Sequence, residues 1–138
     1  MKKQLMILML VGLQLAYLQI LQAHVLVNEK TPSKVVDELI RAYNRRDLAS
    51  FTALFSEDVE VYWFTDQLMY KGKEKLEESY RSFFDATPNL NCELLERTIT
   101  GNRVKDEVLI RRVKNSAPSK ATILYQVENG IVTKMYFI

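Results

Sequence analysis

A charged pair in the run LLERTITGNRVKDEVLI, at positions 94–110, is the part of the sequence best suited to chemistry. The run is typical of a β-hairpin closed by a two-residue Gly-Asn loop, which places Arg97 opposite Asp106. A carboxylate beside a guanidinium stays ionised because the neighbouring positive charge lowers its pKa. Asp106 could therefore serve as a base, with Arg97 stabilising a developing oxyanion.

The alternation of side chains along the hairpin strands bears on the role of this pair. Arg97 and Asp106 belong to the more apolar face, which also contains Leu95, Ile99, Val104, Val108 and Ile110. The pair is therefore expected to point toward a core or a pocket. Besides the catalytic interpretation there is a structural one, in which the ion pair simply fixes the register of the two strands.

Other catalytic and metal-binding groups are scarce in this sequence. The single histidine, His24, lies near the start of the chain, and the single cysteine, Cys92, allows no internal disulfide and is expected to be buried. This composition argues against a Ser-His-Asp or Cys-His nucleophile and against an ordinary zinc site. Calcium-loop spacing and a glycine-rich phosphate loop are also missing. We therefore expect no metal and no cofactor.

The first residues have the layout of a secretory signal peptide. Lys2 and Lys3 precede an apolar run that contains no charged residue up to Ala23. Cleavage after Ala23 gives a signal peptide at 1–23, a linker at 24–30 and export to the periplasm or the medium. The alternative is an uncleaved membrane anchor, because the run is close to the length that spans a bilayer.

The charge of the remaining chain excludes one large class of partner. The sequence has 19 basic and 17 acidic residues, and removal of Lys2 and Lys3 balances the two counts. Nucleic-acid binding requires a concentrated basic face. Here acidic residues are interleaved with the basic ones, so we expect no nucleic-acid role.

The order of periodic segments predicts an α+β domain. Thr31 and Pro32 begin a helix, and Asp47 caps a shorter second helix that contains Phe51 and Phe55. A strand at 59–64, a short strand at 68–70 and a third helix ending before Pro88 come next. Four strands follow, at 91–100, 103–115, 119–128 and 131–138. This order predicts three helices packed on a curved, mostly antiparallel sheet.

Three phrases carry a resemblance to a known family: VVDELIRAYNRRDLASFTALFSEDVEVYWF, YKGKEKLEESYRSFF and YQVENGIVTKMYFI. Together they resemble the SnoaL-like branch of the nuclear transport factor 2-like superfamily, from Ser33 to Ile138. The resemblance implies a SnoaL-like domain at 31–138 with a cone-shaped fold that encloses an apolar pocket. Members of this superfamily often form homodimers packed sheet to sheet, so the resemblance also implies a homodimer through the sheet.

Two comparisons within this superfamily concern reactive residues. The chain resembles a subset with histidines in two signatures, yet Asn91 and Glu107 stand at the histidine positions. The ketosteroid isomerases share the scaffold and use an Asp base with a Tyr and a protonated Asp. Their pattern places Leu39, Trp63 and roughly Leu124 at these three positions. The resemblance is therefore to the scaffold and does not extend to the isomerase reaction.

Large side chains at core-facing spacing are candidates for the wall of such a pocket, although the same pattern is typical of a packed core. The candidate pocket-lining residues are Leu39, Tyr43, Trp63, Tyr80, Phe84, Tyr125 and Met135. On the last strand Met135 and Phe137 alternate with Tyr136 and Ile138, so both of its faces are apolar. A dimer contact would cover the second face.

Three functions fit these observations. The first is an exported domain that binds a small hydrophobic molecule in the pocket. The second is a cofactor-free isomerase, hydrolase or cyclase that uses Asp106 as base. The third is a structural or assembly role for a dimer whose cone is filled with side chains.

Overall fold

The computed structural model describes residues 1–27 and 30–138, with the side chains of residues 1–22 and 30–138. The elements, in chain order, are α1 (Lys2–Val27), α2 (Pro32–Arg45), α3 (Leu48–Thr52), β1 (Phe55–Trp63), β2 (Gln67–Lys71), α4 (Lys73–Ala86), β3 (Asn91–Thr100), β4 (Arg103–Arg111), β5 (Ser119–Glu128) and β6 (Ile131–Phe137).

Helix α1 is the apolar segment near the start of the chain. Its stretch Lys2–Gln22 is long and apolar enough to cross a membrane, and none of it is buried. A signal sequence has the same length and composition. The helix continues to Val27, beyond the predicted cleavage point. The side chain of His24 and residues 28 and 29 of the predicted linker lie outside the described part of the chain.

The sheet has six strands in the order β2-β1-β6-β5-β4-β3. Strands β1 and β6 run parallel, and the other neighbours pair antiparallel. This arrangement confirms the α+β class and the mostly antiparallel sheet. The side chains on one face of the sheet, here called the inner face, pack against α2 and α4, whereas those on the outer face point away from the helices.

Helix α2 begins and ends as its sequence predicts. The Thr31 side chain accepts a hydrogen bond from the Lys34 backbone N–H, Pro32 occupies the first turn, and Arg46 ends the helix in the left-handed conformation with φ 52°. Its apolar stripe and that of α4 cover the inner face. The buried core comprises Val35, Val36, Leu39, Ala42, Phe51, Leu54, Phe55, Val59, Val61, Leu76, Phe84, Leu90, Cys92, Val104, Val108, Ile123, Tyr125, Val127, Val132 and Met135.

The boundary between the second predicted helix and the first strand differs from the expectation. The helix was predicted to include Phe55, but α3 ends at Thr52 and Phe55 opens β1, where it pairs with Val132 of β6. The rings of Phe51 and Phe55 still contact each other, with centroids 5.1 Å apart. Helical spacing therefore does not distinguish the two structures here, and pairing with the distant strand β6 decides between them.

The register of the β3–β4 hairpin is the predicted one near its loop. Arg97 faces Asp106, and Val104 and Val108 are buried beside them on the inner face. Leu95 and Ile99, however, were predicted on this apolar face and are about half exposed, at 48% and 50%. A register shift between Leu94 and Glu96 interrupts the alternation, and β3 lies at the edge of the sheet.

Strand β4 is shorter than predicted, since it ends at Arg111 rather than at residue 115. A turn follows in which the Ser116 backbone N–H donates to the Val113 carbonyl, and Asn115 adopts a positive φ of 62°. Residues 112–118 therefore form the β4–β5 connection, which is mostly exposed. The connection lies at the same end of the sheet as the last residues of β1 and β6.

Candidate functional site

A cavity of about 440 Å³ lies between α2, α4 and the inner face of the sheet. Its size falls within the usual range for small-molecule sites. The lining residues are Leu39, Ile40, Tyr43, Phe51, Trp63, Met69, Tyr70, Ser79, Tyr80, Phe83, Cys92, Ile110, Arg112, Lys120, Ala121, Thr122, Ile123, Tyr125, Met135, Phe137 and Ile138. A cavity of this size argues against the hypothesis of a filled cone.

The cavity opens at the end of the sheet where β1 and β6 finish and the β4–β5 connection begins. Trp63, Lys120 and Ile138 line the cavity and are exposed there. At the inner end, Cys92 and Tyr125 line the wall and are 7% and 3% exposed. The site is therefore a pocket with an exposed mouth at this end of the sheet and a buried inner end.

The structure brings six of the seven predicted pocket residues to this wall, namely Leu39, Tyr43, Trp63, Tyr80, Tyr125 and Met135. Phe84 is placed differently: it is 4% exposed and packs against rings that themselves line the cavity. Its centroid lies 5.7 Å from that of Tyr43, 5.6 Å from that of Phe51 and 5.7 Å from that of Tyr80. Phe84 thus supports the wall from behind.

The polar groups of the wall include tyrosine hydroxyls and the thiol of Cys92. Burial raises the pKa of Tyr43, Tyr80 and Tyr125 above the usual value for a phenol, and it raises that of Cys92 to about 11. These groups are consequently neutral near pH 7. A neutral phenol both donates and accepts hydrogen bonds, so the wall suits an apolar molecule with a hydroxyl or keto group.

Arg97 and Asp106 form a close pair that is not part of the cavity lining. Arg97 Nε and Nη2 donate to Asp106 Oδ1 and Oδ2, each at 2.7 Å, and Asp106 is completely buried. Arg97 Nη1 also donates to Asp37 Oδ1 at 2.5 Å and to Ser33 Oγ at 3.1 Å. These contacts, led by the one with Asp106, raise the pKa of Arg97. The guanidinium therefore ties α2 to both strands of the hairpin.

This geometry bears on the catalytic interpretation of the pair. The described residues that line the cavity include neither Arg97 nor Asp106. Both carboxylate oxygens of Asp106 accept hydrogen bonds from Arg97, and a base needs a free oxygen within reach of the substrate proton. The arrangement favours the structural interpretation, in which the pair fixes the register of the hairpin and the position of α2.

The structure also shows where the three residues that correspond to the isomerase catalytic residues lie. Leu39 and Trp63 line the cavity, but Leu124 pairs with Lys105 and Tyr136 on the outer face. Its neighbours Ile123 and Tyr125 line the cavity instead. No Asp or Glu occurs among the described residues of the cavity wall. Nor do His, Cys, Asp and Glu of the described residues form a group that could hold a metal ion.

Sequence reasoning missed two residues that shape the site. Asn44 of α2 donates from Nδ2 to the Cys92 carbonyl at 2.9 Å and accepts from the Cys92 N–H at 2.6 Å, which joins α2 to the first residues of β3. Arg112 lines the mouth of the cavity. Continued alternation from the inward Ile110 could have indicated the direction of Arg112. By contrast, no local pattern indicated the partner of Asn44.

Comparison with known proteins places the chain in a family. Residues 36–135 match the family of SnoaL-like domains. No curated protein sequence matches significantly. An uncharacterised cystatin-fold protein from Novosphingobium aromaticivorans has a similar structure, with a TM-score of 0.71, 18% sequence identity, and coverage of 79% of this chain and 98% of that one.

Two further solved structures share the fold. One is a protein similar to nuclear transport factor 2, of unknown function, from Cytophaga hutchinsonii, with a TM-score of 0.64, 18% identity, and coverage of 78% and 88%. The other is Rv0760c from Mycobacterium tuberculosis in complex with estradiol-17β-hemisuccinate, with a TM-score of 0.65, 15% identity, and coverage of 78% and 93%. The match over residues 36–135 shows that this chain, with its helices packed on a six-stranded sheet, belongs to the family of SnoaL-like domains.

Proposed function

We propose that the protein is an exported binding protein for a small, mostly apolar molecule, which it holds in the cavity between α2, α4 and the sheet. The observation that carries this proposal is the wall itself, which is mainly apolar and aromatic and includes Tyr43, Tyr80 and Tyr125, whose hydroxyls stay neutral because desolvation raises their pKa. Sites of this kind bury most of the surface of a small ligand and orient it with a few polar groups.

The structural neighbours support the class of ligand. Rv0760c is complexed with a steroid derivative on a similar scaffold. The cavity of this chain offers the same kind of environment for a rigid apolar ring system, since aromatic side chains supply large contact areas with little loss of conformational entropy. Small-molecule binding is therefore favoured over an assembly role.

A neutral fluorescent probe, N-phenyl-1-naphthylamine, tests this proposal. We expect the emission of the probe to rise when it binds to the domain. The emission of Trp63, the single tryptophan of the sequence, should also change because Trp63 lies at the mouth of the cavity. Ala121 lines the cavity, so Ala121→Leu fills part of it and should weaken binding at least tenfold. Ala117→Leu is the matched control, because Ala117 is exposed in the β4–β5 connection.

Two outcomes of this titration contradict the proposal. The first is failure of the probe to bind the folded domain. The second is binding that Ala121→Leu and Ala117→Leu leave equally strong, because it would place the probe outside the cavity. Circular dichroism of both variants verifies that each is folded before the titrations are compared.

Export is the part of the proposal that depends on residues 1–23. An apolar N-terminal helix is compatible with a signal sequence. We expect secreted or periplasmic protein to begin at His24, which intact-mass spectrometry of material from the native host measures directly. Mass spectra that show Met1 on that material would refute cleavage, and recovery of the full chain from the membrane fraction would favour the anchor.

The homodimer is proposed through the outer face of the sheet. Tyr62 and Tyr136 stack there, with centroids 5.0 Å apart, while Lys134 lies 3.4 Å from Glu60. Ile138 was expected on this face but lines the cavity instead. Sedimentation velocity should give the mass of a dimer, and Tyr136→Glu should shift it to that of a monomer. A monomeric wild-type protein at micromolar concentration would contradict this part.

A further inference from the structure

The cavity is mainly apolar inside, but positively charged side chains lie at its mouth. The charged side chains among its described lining are those of Arg112 and Lys120, both cationic. Lys120 Nζ lies 2.7 Å from Glu107 Oε2, so its charge is already paired. Arg112 takes part in none of the ion pairs formed by the described residues. Among the described residues, the mouth thus presents one cationic side chain, that of Arg112, that forms no ion pair.

The position of Arg112 is set by the strand before it. Ile110 points into the cavity, and Arg112, two residues further on, keeps the same direction after β4 has ended at Arg111. Its guanidinium carbon lies 5.7 Å from the ring centroid of Phe83, which also lines the cavity. The aromatic face holds the guanidinium by a cation–π contact and leaves its N–H groups free to bind a ligand.

The neighbours of Arg112 reinforce this arrangement. The positive charge of Arg112 acts on the buried phenol of Tyr43, where it opposes the larger effect of burial, which raises the pKa of Tyr43. The guanidinium is thus electrostatically coupled to the cavity interior. An unpaired guanidinium at the edge of an apolar pocket is suited to a carboxylate or a similar anion, because it can donate two parallel hydrogen bonds.

We propose that the ligand of this cavity is an apolar anion, with its hydrocarbon body among the aromatic side chains and its anionic group bound by Arg112 at the mouth. This inference rests on the proposed function, since it assumes that the cavity binds an apolar molecule. It adds the charge of the ligand and the residue that recognises that charge. An uncharged ligand of the same shape would gain nothing from the positive charge of Arg112.

Displacement of bound N-phenyl-1-naphthylamine separates the two proposals. The competitors are dodecanoate and methyl dodecanoate, which share a hydrocarbon chain and differ in charge. We expect dodecanoate to displace the probe from the wild-type protein about tenfold more effectively than the ester. One charge-assisted hydrogen-bonded contact contributes a difference in affinity of about this size. Arg112→Gln should abolish this preference, whereas Arg112→Lys should retain part of it. Raising the salt to about 1 M should reduce it.

Lys114→Gln is the matched control, since Lys114 is exposed in the same connection and does not line the cavity, yet its replacement changes the net charge equally. It should keep the preference for dodecanoate. If the probe binds but the acid and the ester compete equally, the anion inference is wrong and the proposed function stands. If Lys114→Gln removes the preference as fully as Arg112→Gln, general charge explains it and the role of Arg112 is refuted. If the probe does not bind, both proposals fail.

Discussion

Arg97 of β3 and Asp106 of β4 meet side-on across the hairpin, with both the Nε–Oδ1 and the Nη2–Oδ2 distances equal to 2.7 Å. Asp106 is fully buried, whereas Asp37, the second carboxylate on this guanidinium, has a side chain that is 43% exposed. The pair thus joins a buried strand to the surface of α2. Its energetic importance lies in the cost of leaving a buried charge without a partner.

Removal of the Arg97 guanidinium should therefore cause a large loss of stability. Arg97→Met is expected to lower the free energy of unfolding by about 3–5 kcal/mol, because it leaves the Asp106 carboxylate buried and unpaired. Urea unfolding followed by Trp63 fluorescence measures the loss. Arg81→Met serves as the control, since the Arg81–Glu77 pair is exposed, and it should change the stability by less than about 1 kcal/mol.

The double variant Arg97→Met/Asp106→Leu completes the comparison. Replacement of both charges by apolar side chains should recover most of the stability lost in Arg97→Met. If the double variant is instead as unstable as the sum of the two single variants, the pair does not act as a unit. If the wild-type protein converts a substrate, and Asp106→Asn abolishes that conversion but still binds the probe, the catalytic interpretation of Asp106 would be restored.

Asn44 carries a second prediction. Its amide pairs with both backbone groups of Cys92, so Asn44→Ala leaves a buried donor and a buried acceptor unsatisfied. We expect a loss of about 1–3 kcal/mol in the free energy of unfolding. The control Asn89→Ala changes an exposed amide and should cost less than about 0.5 kcal/mol. Equal effects of the two substitutions would show that the amide does not anchor β3.

The predictable part of the fold depends on local signals. The Gly-Asn loop fixes the pairing of Arg97 with Asp106 because a two-residue hairpin leaves little choice of register. The Thr31 cap and the proline after it place the start of α2 equally well. Each of these features is decided within a few residues, so the sequence alone suffices.

The features that escaped prediction depend on distant parts of the chain. Ser33 and Asp37 contact Arg97 across 64 and 60 residues of sequence, and no periodic pattern records such a contact. The exposure of Leu95 follows from a register shift that the alternation rule does not anticipate. Arg112 is an exception, because alternation from the inward Ile110 is a local signal of its direction. The pocket candidates were clearer, since large apolar residues at regular spacing mark the inner face.

Cys92 provides a test of how well the inner end of the cavity is shielded from solvent. Burial, aided by the negative charge of Asp106, raises the pKa of Cys92 from 9.0 to about 11, and the side chain is 7% exposed. At pH 8 the folded protein should hold about 100-fold less thiolate than the unfolded chain. Alkylation by iodoacetamide, followed by intact-mass spectrometry, should be slower in the folded protein by at least this factor.

Ligand binding should slow the same reaction further, because Cys92 lines the cavity. Alkylation in the presence of saturating N-phenyl-1-naphthylamine measures this protection. Denatured protein in urea with the same probe is the control and should react at an unchanged rate. Equal rates in folded and unfolded protein would show that the thiol is open to solvent, which is inconsistent with its position at the inner end of the pocket.

Tyr125 gives the stability of the domain a dependence on alkaline pH. Burial, and secondarily the charge of Asp106, raises the pKa of Tyr125 well above its usual value of about 10. Above that pH the unfolded chain loses the phenolic proton while the folded protein keeps it. Stability therefore falls as the pH rises above about 10. Tyr125→Phe removes this proton difference, so the stability of the variant should decline less steeply above that pH. Urea unfolding at several pH values measures both slopes, and parallel declines would mean that Tyr125 ionises equally in the folded and unfolded states.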